Sequence, residues 1–188
     1  MQQVGVVALL GRRHAVRRKA VERVVQRVQP GAPAFLVELA TRVETYLAQL
    51  IAAEEARWVE VNPTLAVPFS EMRGLVLAGG KRLRPAFCYW GSIATGADPS
   101  DERIVRTGAA LELLHAFALF HDDIMDGAEL RRSQPTLAAN WGSEISVLLG
   151  DCLFAKALKL AASFPTTEVC RAVASATDTV CEGEILQT

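Results

Sequence analysis

The sequence predicts an all-α fold, and three observations predict it. Apolar residues recur at three- and four-residue steps along most of the chain. No segment sustains the period-two alternation of a half-buried strand between hairpin turns. The periodic stretches are separated by short glycine- and proline-bearing breaks, as in a set of neighbouring helices joined by short loops.

The elements follow in order. Leu36, Leu39, Val43, Tyr46 or Leu47, and Leu50 share one face, so roughly 34–60 is an amphipathic helix. VNPTLAVP, 61–68, reads as a loop between prolines. A short helix fits 70–78 and stops at Gly79-Gly80. The next starts near Pro85, because proline loses nothing in a first turn. GADPSDE, 96–102, breaks the pattern, and one long helix runs from there to about Asp126. AELRRSQPTLAANWG, 128–142, reads as a loop with room for a short turn of helix. Ser143 caps a helix carrying Ile145, Leu148, Leu149, Cys152 and Leu158. FPTT, 164–167, ends it. The last helix starts near 168 and is still in mid-pattern at CEGEILQT, as in a chain cut inside a helix.

The chain has 188 residues, enough for one domain or part of a larger one, and 51% are apolar, enough for a sizeable core. With 20 basic and 21 acidic residues the net charge is −1, so no global field points to nucleic acid. The four cysteines, Cys88, Cys152, Cys170 and Cys181, form no CxxC pair and no zinc spacing. They read as reduced, buried thiols of a cytosolic protein. No stretch approaches the roughly 20 apolar residues of a membrane span. At the N-terminus the basic residues follow the apolar run Val4 to Leu10, the wrong order for a secretion signal. Residues 12–28 set Val16, Val21, Val24 and Val28 among arginines and lysines. That pattern fits either a membrane-surface helix or a solvated basic extension, and residues 1–33 are taken as an extension.

Chemistry concentrates in ALFHDDIMDGAELRRSQPT, 118–136. On a helix, Asp122 and Asp126 share a face about 6 Å apart along the axis. That spacing suits two carboxylates that each give oxygens to Mg²⁺ ions bridged by an anionic third party. His115 lies seven residues before Asp122, and Leu111 and Ala118 continue the stripe, which would line a greasy tunnel with a metal site at its mouth. The carboxylates oppose the dipole at a helix C-terminus, which favours a counter-cation; solvated carboxylates are the alternative. GGKRLRP, 79–85, offers Lys81, Arg82 and Arg84 after two glycines that open the backbone to an anion, but it lacks the P-loop pattern. With Arg131 and Arg132, the set suits two diphosphates carrying hydrocarbon tails, one held through metal and one by bare cations.

GGKRLRP, ELLHAFALFHDDIMD, RRSQPT, LLGDCLFAKAL and EGEILQ, in this order and spacing, resemble the trans-prenyltransferases, the polyprenyl (isoprenyl) diphosphate synthases, over about residues 35–188. The likeness to geranylgeranyl diphosphate synthases implies an isoprenoid synthase helical bundle around a central cavity. Residues 34–188 would be the synthase domain, incomplete at its C-terminus. It implies Mg²⁺-dependent head-to-tail condensation of isopentenyl diphosphate with an allylic diphosphate, giving a short-chain C15–C20 product. By resemblance Asp122, Asp123 and Asp126 hold Mg²⁺ against the allylic diphosphate. Arg131 contacts the same diphosphate, while Lys81, Arg84, His115 and Arg132 bind isopentenyl diphosphate. Phe117 and Ala118 form the floor under the growing chain. A cytoplasmic homodimer is implied.

Two departures stand out. Ser133 replaces the glycine usual after the paired arginines, and a second aspartate-rich motif, expected well beyond EGEILQ, does not occur in this sequence. A class I terpene cyclase is a competing reading, against which GGKRLRP and Arg132 argue, since a cyclase has no isopentenyl diphosphate to hold. A non-catalytic truncated form or partner subunit of a synthase is another.

Overall fold

A computed structural model describes residues 33–187. The proposed basic extension therefore lies, except for Pro33, outside the described residues. Those residues form six α-helices, one 3₁₀ turn and one minimal β-hairpin, so the all-α expectation holds. The chain divides into two compact units between Val105 and Arg106.

The first unit is built on α1 (Ala34–Val61), which buries Leu39, Val43, Leu47 and Ile51 at helical spacing. It packs against α2 (Ala66–Val76) through Phe69, Met72 and Val76, and against α3 (Leu83–Ala94). Trp58 stacks on Phe69 with ring centroids 6.2 Å apart. The expected loop at 61–68 is largely helical. The Asn62 side chain accepts from the Thr64 N–H at 3.1 Å, which turns the chain into the 3₁₀ segment Pro63–Leu65. Pro68 then falls in the first turn of α2, where it forfeits no bond, so that helix starts and ends earlier than its spacing suggested.

Between α2 and α3 the backbone turns left-handed at Gly79 (φ 84°) and Arg82 (φ 48°). Arg82 is held there by Glu44 of α1. Its Nε and Nη2 donate to Glu44 Oε1 at 3.3 and 3.2 Å, and Nη2 also donates to the Val76 carbonyl at 3.3 Å. The pair is buried, with side chains 5% and 4% exposed. After α3, Arg42 closes the GADPSDE break by donating to the Pro99 and Ser100 carbonyls and to Glu102. Asp101 accepts the Arg103 N–H at 2.8 Å and so caps α4 (Glu102–Met125).

The second unit holds α4 from Arg106 onward, the hairpin β1 (Leu130–Arg131) and β2 (Gln134–Pro135), α5 (Leu137–Ala162) and α6 (Glu168–Ile185). Helix α4 ends in a Schellman turn: Ala128 N–H bonds to the Asp123 carbonyl, Gly127 N–H to the Ile124 carbonyl, and Gly127 takes φ 60°. Asp126 is therefore the C-cap residue. In the hairpin Leu130 pairs with Pro135 and Arg131 with Gln134. Arg132 (φ 53°) and Ser133 (φ 62°) make the two-residue left-handed turn between them. The sequence reading contained no strand here, because neither residue is the glycine or asparagine that announces such a turn.

Thr136 closes the hairpin. Its hydroxyl donates to the Ala128 carbonyl at 2.8 Å and accepts from the Ala139 N–H at 3.1 Å, capping α5. Helix α5 thus begins before Ser143, the expected cap. The chain breaks from helical geometry at Gly142 (φ 81°, ψ 164°), and Ser143 follows that break. Helix α6 packs on α5 and buries Val173 alone among its apolar residues.

The cysteines are free thiols, as expected, but not buried ones: Cys88, Cys152 and Cys170 are half-buried and Cys181 is exposed. Partial burial still pushes the Cys88 thiol up. Among the described residues no helix is long and apolar enough to cross a membrane.

Candidate diphosphate and metal site

The second unit brings three of the singled-out residues into direct contact. Arg131 Nε donates to Asp123 Oδ1 at 2.6 Å, and Nη2 donates to Asp122 Oδ2 at 2.5 Å. Asp123 is 5% exposed at its side chain, against 33% for Asp122 and 30% for Arg131. The local sequence explains the contact. The Schellman turn reverses the chain one residue after Asp126, and the hairpin presents Arg131 back toward the last turn of α4. Burial works against the Arg131 charge, but hydrogen bonds and charge from Asp123 and then Asp122 hold its pKa above the ordinary arginine value.

Asp123 is turned about 100° from Asp122 and about 60° from Asp126, toward the buried side of the helix end. Asp126 is exposed at the C-cap. Among the described residues, no group of three or more His, Cys, Asp or Glu side chains is gathered around one point. The donor chemistry nevertheless fits Mg²⁺ in its open form. Asp122 and Asp126 are hard oxygen donors one turn apart, and neither is sealed from water; Mg²⁺ commonly takes one or two carboxylates plus phosphate oxygens.

The remaining residues are placed as follows. His115 is half-buried in α4. Arg132 is exposed in the hairpin turn. In the first unit Lys81 and Arg84 are exposed on either side of the buried Arg82, so GGKRLRP separates into one internal strut and two outward cations. Ala118 is half-buried. The Phe117 ring lies 4.5 Å from His121, edge to face, and 5.0 Å from Phe154 of α5.

That cluster was not anticipated. His121 sits over Gly150, where an added Cβ would lie 2.8 Å from both Cδ2 and Nε2 of the imidazole. Its Nε2 is 3.4 Å from the Val147 carbonyl and 3.5 Å from Asp151 Oδ1. The mid-helix glycine of LLGDCLF was the available signal, since glycine inside a helix marks close approach.

Comparison with known proteins decides the family. The polyprenyl synthetase family model matches residues 69–188. The chain belongs to the polyprenyl synthetase family. A short chain isoprenyl diphosphate synthase from Methanothermobacter thermautotrophicus is 41% identical over 131 residues, 68% of this chain and 39% of that protein. Among solved structures, a decaprenyl diphosphate synthase from Rhodobacter capsulatus is 32% identical, with a TM-score of 0.61 over 76% of this chain and 45% of that one. A geranylgeranyl pyrophosphate synthase from Corynebacterium glutamicum, complexed with isoprenyl diphosphate and magnesium, is 27% identical with a TM-score of 0.56, over 67% of this chain and 40% of that one. This polyprenyl synthetase chain thus spans less than half the length of each of these relatives.

Proposed function

We propose that this chain carries the first aspartate-rich half of a prenyl diphosphate synthase active site, within a synthase domain that begins near residue 34. The reaction is the Mg²⁺-dependent head-to-tail condensation of isopentenyl diphosphate with an allylic diphosphate. The observation that carries the reading is the arrangement at the end of α4: Asp122 and Asp126 one turn apart, with Arg131 bonded to Asp122 and Asp123. Magnesium in the Corynebacterium relative supports it.

Bound Mg²⁺ supplies positive charge to the departing diphosphate. Asp122 and Asp126, with Asp123, would hold the ion, and Asp123 also orients Arg131. Arg131 donates to the allylic diphosphate as charge develops on it, which stabilises ionisation of the allylic C–O bond. Lys81, Arg84, His115 and Arg132 are the proposed ligands of isopentenyl diphosphate. Its double bond attacks the allylic carbon, and the proton lost from the adjacent carbon goes to the released diphosphate. Phe117 and Ala118 limit the product to C15–C20. The working form is a cytoplasmic homodimer.

The test uses the full-length gene product, with incorporation of labelled isopentenyl diphosphate as readout. Asp122→Ala and Asp126→Ala each lower Mg²⁺-dependent turnover about a thousandfold, the equivalent of about 4 kcal/mol of lost charge stabilisation. Near-normal turnover in both variants would refute the reading.

A further inference from the structure

Arg131 occupies one oxygen, Oδ2, of a carboxylate that a metal ion would need. We infer that Arg131 is an internal counter-cation, which neutralises Asp122 and keeps Oδ2 from metal until a diphosphate draws its guanidinium away. This rests on the functional reading above, and it adds a role for Arg131 before any substrate is present.

The geometry is specific. Both bonds join opposite charges, the charge-assisted kind that is roughly twice as strong as a neutral bond. They use different nitrogens and so separate into an anchor and a latch. Nε is committed to Asp123, whose side chain is only 5% exposed and would otherwise be a buried, unpaired charge. Nη2 is committed to Asp122 Oδ2, a carboxylate 33% exposed and open to exchange. A diphosphate presents oxygens that match the guanidinium fork, so it competes for Nη2 while the Nε bond persists. Asp122 then gains a free oxygen as the diphosphate arrives. Metal and diphosphate would enter together, and metal alone would bind weakly.

The experiment measures binding in the absence of any diphosphate. Mn²⁺, a spin-active stand-in for Mg²⁺, is titrated into the protein and its free signal followed by electron paramagnetic resonance. Three forms are compared: wild type, Arg131→Gln and Arg131→Lys, with helix content checked by circular dichroism. The lysine variant keeps the positive charge but cannot span two carboxylates. Both substitutions are expected to tighten Mn²⁺ binding, by about tenfold for glutamine and measurably for lysine. Asp122→Asn added to Arg131→Gln should abolish the gain.

Equal affinity in wild type and both variants would overturn the latch while leaving the metal reading intact. Tightening by glutamine alone would also overturn it, because loss of charge would then explain the effect. No Mn²⁺ binding in any form would overturn both the latch and the assignment of Asp122 as a metal ligand.

Discussion

Arg82 donates to Glu44 across 38 residues of sequence, and neither side chain reaches solvent. The arginine stands at the left-handed residue before α3, so one ion pair fixes the entry to that helix against α1.

Breaking this pair from one side should be severe. Glu44→Leu or Arg82→Met removes one member of this buried ion pair, which typically costs about 3–5 kcal/mol. The double replacement Glu44→Leu with Arg82→Met should cost less than either single change. Urea unfolding of the three variants checks this; additive losses would argue against a coupled buried pair.

Ser133→Gly should raise stability. Ser133 holds φ 62°, where a Cβ is disfavoured by roughly 1–2 kcal/mol. Glycine gives part of that back as unfolded-state entropy, leaving a gain of roughly 0.5–1 kcal/mol. Thermal melts of the two proteins measure it, and a lower melting temperature would mean that the Ser133 side chain contributes something its backbone does not reveal.

Gly150→Ala should destabilise by about 1–3 kcal/mol, as overpacking in a confined site does. The new methyl would meet the His121 ring at 2.8 Å, and that ring is already against Phe117. His121→Ala in the same chain should recover most of the loss. Failure of that rescue would show that the helices, and not the imidazole, set the clearance.

The helices were legible because burial writes a period into sequence: Leu39, Val43 and Leu47 read as one face and form one. Their starts were less legible where a side chain decides them. Asn62 and Thr136 each bond to a backbone N–H two or three residues on, and those bonds start the 3₁₀ turn before α2 and advance α5 beyond what apolar spacing shows. Arg82 looked like Lys81 and Arg84, because nothing local reveals that its partner lies in α1. The aspartates and Arg131 were legible as residue types, but not as bonded partners. Their contact depends on a hairpin whose turn residues, Arg132 and Ser133, carry no turn signature.

The bond from Thr136 to the Ala128 carbonyl has a mechanical meaning for Arg131. With that hydroxyl in place, residues 128–136 form a closed ring hung from two helices, not an arm hinged at one end. A ring transmits displacement: a tug on the guanidinium is resisted at the start of α5 and at the end of α4 together. The aim of Arg131 is therefore steadied by a buried threonine hydroxyl as well as by its own carboxylate partners, and variation at Thr136 would be felt as a loss of alignment before it was felt as unfolding.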